Sequence, residues 1–214
     1  MAFSNRLPAP RMSIEADELH LWWFRVEPDS ETAADVRSIL SKYLGQSPDT
    51  IRIARSDRSR RPTLDGQSVD LSFNLSHSGT WGVLAIAWRT RVGIDIEQRR
   101  EIKGVERLAS RFLSSEEHAA LSRVPKGEQS GSFLRLWVCK EAYLKALDAG
   151  VGVPAGLPRF SVSLSPDEPP AILETTLEVS GQSSLSLIDL VTPTGYVGAA
   201  AVEGGIKRIE RFDI

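Results

Sequence analysis

Gly93-Ile94-Asp95-Ile96-Glu97 and Trp137-Val138-Cys139-Lys140-Glu141-Ala142-Tyr143-Leu144-Lys145 hold the residues of this chain best suited to chemistry. Strict alternation in the first motif predicts a strand that sends Asp95 and Glu97 to one face and Ile94 and Ile96 to the other. Two carboxylates about 7 Å apart on one strand face can share a hard cation. The second motif reads as a helix, in which Glu141 and Lys145 stand one turn above each other. Three carboxylates and an ammonium suit a phosphate ester brought in with Mg²⁺, because oxygen ligands hold the ion while ion and lysine offset the phosphate charge. Either motif alone is ordinary composition for a solvated strand or a surface helix. Their combination with a third segment carries the reading.

That segment is Phe73-Asn74-Leu75-Ser76-His77-Ser78-Gly79, followed by the apolar run Val83-Leu84-Ala85-Ile86-Ala87. Hydroxyl, imidazole and backbone N–H donors at the mouth of a predicted strand can cradle a phosphate. A polar turn between strands is the plain alternative. In order and spacing the three segments resemble the surfactin-type 4′-phosphopantetheinyl transferases, whose patterns N-I/L-S-H-S, G-I/V-D-I/V-E and W-x-x-K-E-A-x-x-K are matched at every position. Arg111-Phe112-Leu113-Ser114-Ser115-Glu116-Glu117 is similar to that family's R-F-F-S-x-x-E stretch, and Phe133-Leu134-Arg135-Leu136-Trp137 to its approach to the third motif. Gly150-Val151-Gly152 stands where the family has a glycine pair, and the similarity runs from Ile51 to Ala201.

The resemblance implies transfer of the 4′-phosphopantetheine arm of coenzyme A to a serine of an apo acyl or peptidyl carrier protein, releasing adenosine 3′,5′-bisphosphate. It implies Asp95, Glu97 and Glu141 as ligands of Mg²⁺, with Mn²⁺ accepting the same oxygens. Glu141 would also take the serine proton, and Lys145 would act beside it as a point charge on the pyrophosphate. Arg61, Ser76 and His77 would hold the phosphates of the coenzyme. Lys140, about 100° around the helix from Glu141, is given the lesser part. The implied fold is a pseudo-dimer of two similar α+β halves with the site in the cleft between them. Residues 1–91 would form the first half and residues 92–214 the second, which carries the metal site.

One departure bears on affinity. The family has a longer arginine- and lysine-rich segment before the position of Ile51, whereas the helix expected here offers only Arg37 and Lys42. Arg52, Arg55, Arg58 and Arg60 are the available substitutes. Two other functions follow from the same residues: a non-catalytic paralogue that binds carrier protein or nucleotide, and a nucleic-acid-binding module using the run from Arg52 to Arg61. The rest of the chain supplies no basic stripe and no nucleic-acid motif, so no nucleic-acid partner is expected.

The elements needed to position these residues can be read from pattern. In the first half, strands are expected over 19–26, near 51–53, over 71–73 and over 83–88, with a helix over 30–44 closed at Gly45. In the second, a strand at 93–97 precedes helices over 102–111, 114–122 and 132–149. Strands then return over 160–164, 171–179, 185–191 and 196–202, and 204–211 reads as a final strand or a loose end. Mixed elements joined by short turns define an α+β class. At 214 residues with 41% hydrophobic and 25% charged content, the chain can bury a substantial core. The single cysteine, Cys139, excludes an internal disulfide and reads as a buried helix thiol. No apolar run is long enough to cross a bilayer, and residues 1–8 lack a signal-peptide core, so a cytoplasmic protein without a membrane partner is expected. A monomer is the expected state.

Overall fold

Strand β1 (Glu18–Arg25) is buried on both faces, which a strand sandwiched between layers must be. Trp22 and Phe24 pack under helix α1 (Thr32–Leu44), whose Val36, Ile39, Leu40 and Tyr43 recur at helical spacing on its inner face. Leu19, Leu21 and Trp23 point the other way, into a second core. The computed structural model describes residues 11–27, 32–55, 62–65, 70–147, 156–163, 165, 168–177 and 184–214.

A short 3₁₀ turn (Pro48–Thr50) and the hairpin of β2 (Ile53–Arg55) and β3 (Pro62–Leu64) follow α1. The strand expected near 51–53 is thus displaced, because Ile51 closes the 3₁₀ turn by donating its N–H to the Pro48 carbonyl. Strands β4 (Leu71–Ser78) and β5 (Trp81–Trp88) form an antiparallel hairpin, and β5 pairs antiparallel with β1. The second half opens with β6 (Val92–Gln98), α2 (Val105–Phe112), α3 (Ser115–Ser122) and α4 (Lys126–Leu147). It continues through the small β7 (Phe160–Val162) and β8 (Ile172–Thr175) pair to β9 (Leu185–Asp189), β10 (Tyr196–Glu203) and β11 (Arg208–Asp213).

The larger sheet has the order β11-β1-β5-β4 and the smaller β6-β10-β9. The trios β1-β5-β4 and β6-β10-β9 both follow the order first, third, second along the chain, with each neighbouring pair antiparallel. The final segment is a strand: β11 leaves the second half and pairs parallel with β1. Phe212 then stacks on Trp22 at a centroid distance of 4.4 Å.

Four layers result, in the order α1, larger sheet, smaller sheet, α4. Leu19, Leu21 and Val83 meet Ile94, Ile96 and Ala200 between the sheets. Val197, Ala199 and Ala201 meet α4 on the far side. Helix α4 begins at Lys126 rather than 132. Gly127, Gly131 and the neighbouring serines lower local helix propensity. Tertiary contact overrides it, as Ser130 Oγ accepts from the Ile102 N–H at 3.0 Å.

Candidate active site

Helix α4 lies directly on β6 because of Gly93. A Cβ there would collide with the Ala142 carbonyl oxygen and stand 2.5 Å from the Ala146 nitrogen, both helix backbone that cannot give way. Gly93→Ala is therefore expected to push α4 off the strand. A lowered unfolding midpoint, measured by thermal melt, is the expected result.

With α4 held close, Lys145 reaches over the strand. Its Nζ donates to Asp95 Oδ1 at 2.7 Å and to the Ile94 carbonyl at 3.1 Å. Asp95 is 6% exposed. Burial, the largest influence, pushes its carboxyl above the ordinary carboxylate range, with Lys145 and a hydrogen bond from Ser76 opposing. Glu141 lies one turn before Lys145 on the same helix, half-buried. Glu97, next along the same face of β6, accepts from Ser78 Oγ at 2.9 Å and from Arg100 Nη1 at 2.9 Å.

The Asn-Leu-Ser-His-Ser segment is part of β4 itself, not a turn at its mouth. Its polar residues have the strand period. Asn74, Ser76 and Ser78 accept hydrogen bonds from the N–H groups of Ile94, Ile96 and Gln98 at 3.1, 3.3 and 3.1 Å. Strands β4 and β6 are edges of different sheets, and this side-chain ladder joins them where a backbone ladder would otherwise run. Ser76 Oγ also donates to Asp95 Oδ1 at 2.8 Å. His77, between the two serines, points to the opposite face of β4 and is exposed. The structure thus brings Ser76, Asp95 and Lys145 into direct contact, places Glu97 two residues on along β6 and Glu141 one turn before Lys145 on α4, and turns His77 to the opposite face of β4. Arg61, with Arg58, Arg60 and the Gly150-Val151-Gly152 segment, lies outside the described residues.

Lys140 is not a site residue. It is fully buried, and its Nζ donates to Glu117 Oε1 and Oε2 at 2.8 and 2.6 Å and to the Phe160 carbonyl. Cys139 is likewise buried, its thiol pushed up to about 12 by desolvation, which leaves no thiolate to act as nucleophile at neutral pH. Trp137 packs edge-on against Phe112 at 5.4 Å. Together with Phe133 and Leu108 these rings line a cavity of about 390 Å³ that opens beside Glu97, Arg100 and Lys103.

The donor set fits a hard divalent cation in kind, since Asp95, Glu97 and Glu141 offer only carboxylate oxygens. A cation beside buried Asp95 would also favour the ionised form that burial disfavours. Among the described residues no three acidic, histidine or cysteine side chains already converge as a metal cage, and the Lys145 ammonium stands against Asp95. Asn74 and Ser78 stand in the segment expected to cradle a phosphate, and the structure uses them to bridge β4 to β6; nothing local marks Arg100.

By its layers and sheet order this is an α+β protein whose polar seam gathers carboxylates and a lysine. Residues 91–201 match the 4′-phosphopantetheinyl transferase superfamily, and the chain belongs to that family. It is 30% identical to the 4′-phosphopantetheinyl transferase HetI of Nostoc sp., over 91% of this chain and 92% of that protein. It is 32% identical to the 4′-phosphopantetheinyl transferase Sfp of Bacillus subtilis, over 80% of this chain and 67% of the relative. A holo-(acyl-carrier-protein) synthase from Bacillus anthracis, solved in complex with CoA (3′,5′-ADP), superimposes with a TM-score of 0.42 at 20% identity, covering 54% of this chain and 96% of that one. Among the described residues no helix is long and apolar enough to cross a membrane.

Proposed function

We propose that this protein moves the 4′-phosphopantetheine arm of coenzyme A onto a serine hydroxyl of an apo acyl or peptidyl carrier protein. The observation that carries the reading is Lys145 of α4 meeting Asp95 of β6 at 2.7 Å, with Glu141 one turn earlier on α4 and Glu97 two residues on along β6, in a chain that aligns along nine-tenths of its length with a named transferase. Phosphoryl transfer to an alcohol needs positioning and charge neutralisation more than a covalent relay.

The serine Oγ forms the new bond to the phosphorus bearing the pantetheine arm, and the bridging P–O bond breaks toward adenosine 3′,5′-bisphosphate. Glu141 takes the proton from that Oγ as the bond forms. Lys145 moves from Asp95 onto a pyrophosphate oxygen, a short swing for a half-exposed ammonium on a flexible stem. Ser76 and Arg61 contact the pyrophosphate, and exposed His77, on the other face of β4, contacts a phosphate of the coenzyme away from the seam. Asp95, Glu97 and Glu141 would hold Mg²⁺, or Mn²⁺, which would supply charge neutralisation on the pyrophosphate. The matching strand order of β1-β5-β4 and β6-β10-β9 supports a pseudo-dimer divided after residue 91; a monomer in the cytoplasm is proposed with it.

The test is intact mass spectrometry of a panel of apo carrier proteins incubated with the protein, coenzyme A and Mg²⁺, with EDTA as control. A metal-dependent gain of about 340 Da, one phosphopantetheine arm, is expected. No gain on any carrier while the protein still binds coenzyme A would point to a binding-only paralogue. No coenzyme A binding, with salt-sensitive binding of nucleic acid instead, would replace the reading altogether.

A further inference from the structure

Asp95 and Glu97 are held in the same way, each at one oxygen, by a β4 serine and a cation. On Asp95 both bonds fall on Oδ1, from Ser76 and Lys145; on Glu97 both fall on Oε2, from Ser78 and Arg100. Each serine is itself fixed. Ser76 Oγ accepts from the Ile96 N–H and Ser78 Oγ from the Gln98 N–H, so the single hydroxyl proton is directed at the carboxylate. The second carboxylate oxygen of each residue is thereby turned away from its anchor.

Resting on the reading of Glu97 as a metal ligand, we propose that Ser78 is a positioning residue for the transfer reaction: it anchors Glu97 Oε2 so that Oε1 is presented to the divalent cation. A role confined to stability is poorly served by this arrangement. Side-chain exposure is 22% at Glu97 and 55% at Arg100, where an ion pair contributes little to folding. Restricting a rotamer, by contrast, takes only a directed donor on one oxygen, and such outer partners tune affinity at metal sites. Arg100 reaches the same oxygen from the chain just after β6, so Glu97 is gripped from both sides of the seam. Ser78 contributes direction without charge, which makes it the cleaner residue to test.

The experiment titrates Mn²⁺ into the whole protein and reads free Mn²⁺ by electron paramagnetic resonance, for wild type, Ser78→Ala, Ser78→Thr and Glu97→Gln, with thermal melts of each. Ser78→Ala is expected to weaken Mn²⁺ binding by about 10-fold, and Ser78→Thr, which keeps the hydroxyl, to restore it. Turnover of Ser78→Ala should fall at limiting Mn²⁺ and recover at saturation. If Ser78→Ala fails to fold, Ser78→Cys, similar in size but a weak donor, takes its place with the same expected loss. Wild-type affinity in Ser78→Ala alongside weakened binding in Glu97→Gln overturns the inference, as does a loss that threonine does not rescue. Wild-type affinity in Glu97→Gln overturns instead the placement of Glu97 at the metal, on which the inference rests.

Discussion

Asp95→Asn is expected to lower transfer by about 10²–10³-fold while leaving the unfolding midpoint unchanged or higher. Asp95 is buried between β6 and α4, and desolvation outweighs Lys145 and Ser76 in holding its carboxyl above the ordinary range. A group whose folded pKa is raised binds its proton more tightly folded than unfolded. Its contribution to stability therefore falls as pH climbs from the ordinary carboxylate range through the raised value, and at neutral pH the ionised side chain costs the fold free energy. Asparagine keeps the shape and can still accept from Ser76 Oγ, but removes the charge. The atom set proposed to serve the reaction thus opposes stability, the trade-off expected at a working site. Urea unfolding across that pH span, beside steady-state transfer assays, checks both halves. The variant's stability profile should be flatter than wild type where Asp95 titrates. A variant with wild-type turnover would remove Asp95 from the reaction, and one with a clearly lowered midpoint would make it a structural anchor.

Removing one partner of the buried Lys140–Glu117 pair is expected to cost about 3–5 kcal/mol, because the remaining charge is stranded in the core. Lys140 is fully buried and Glu117 is 2% exposed. Glu117 does more than face the lysine. Its Oε2 accepts from Ser114 N–H at 2.8 Å, closing the capping box of α3, and its Oε1 accepts from Val162 N–H at 2.8 Å. One side-chain pair therefore ties α3, α4 and β7 together. Desolvation lowers the pKa of Lys140, with Glu117 opposing it. Lys140→Met should show the full loss in urea unfolding. The double variant Lys140→Met/Glu117→Leu should recover part of it, since no lone charge remains. It should stay below wild type, because the Ser114 and Val162 N–H groups lose their acceptor. Set against a typical total of about 5–15 kcal/mol, a single loss of this size removes much of the margin. Transfer per folded molecule should survive in Lys140→Met, because Lys140 lies outside the seam. A variant that stays folded but is inactive would return Lys140 to the site.

The alternation that set Asp95 and Glu97 on one face of β6 was legible because side-chain direction in a strand is a property of the residue and its neighbours. The same holds for Glu141 and Lys145 one turn apart on α4. Composition and motif order likewise carried the α+β class and the family. What the local pattern left open was every partner supplied from a distance. Asn74, Ser76 and Ser78 read equally well as a phosphate-cradling turn, until β6 arrived with three N–H groups for them to accept. Lys140 and Lys145 sit on one helix in one motif. One was committed to the core by Glu117 of α3, the other to the seam by Asp95 of β6. Gly93 announced no reason for being glycine before α4 lay across it, and β11 could not be told from a loose end before β1 offered an edge to pair with. Periodicity fixes where a side chain points, within a few residues of itself. Which group waits at the other end is decided by packing whole faces together across the chain, and that decision is made by the tertiary structure alone.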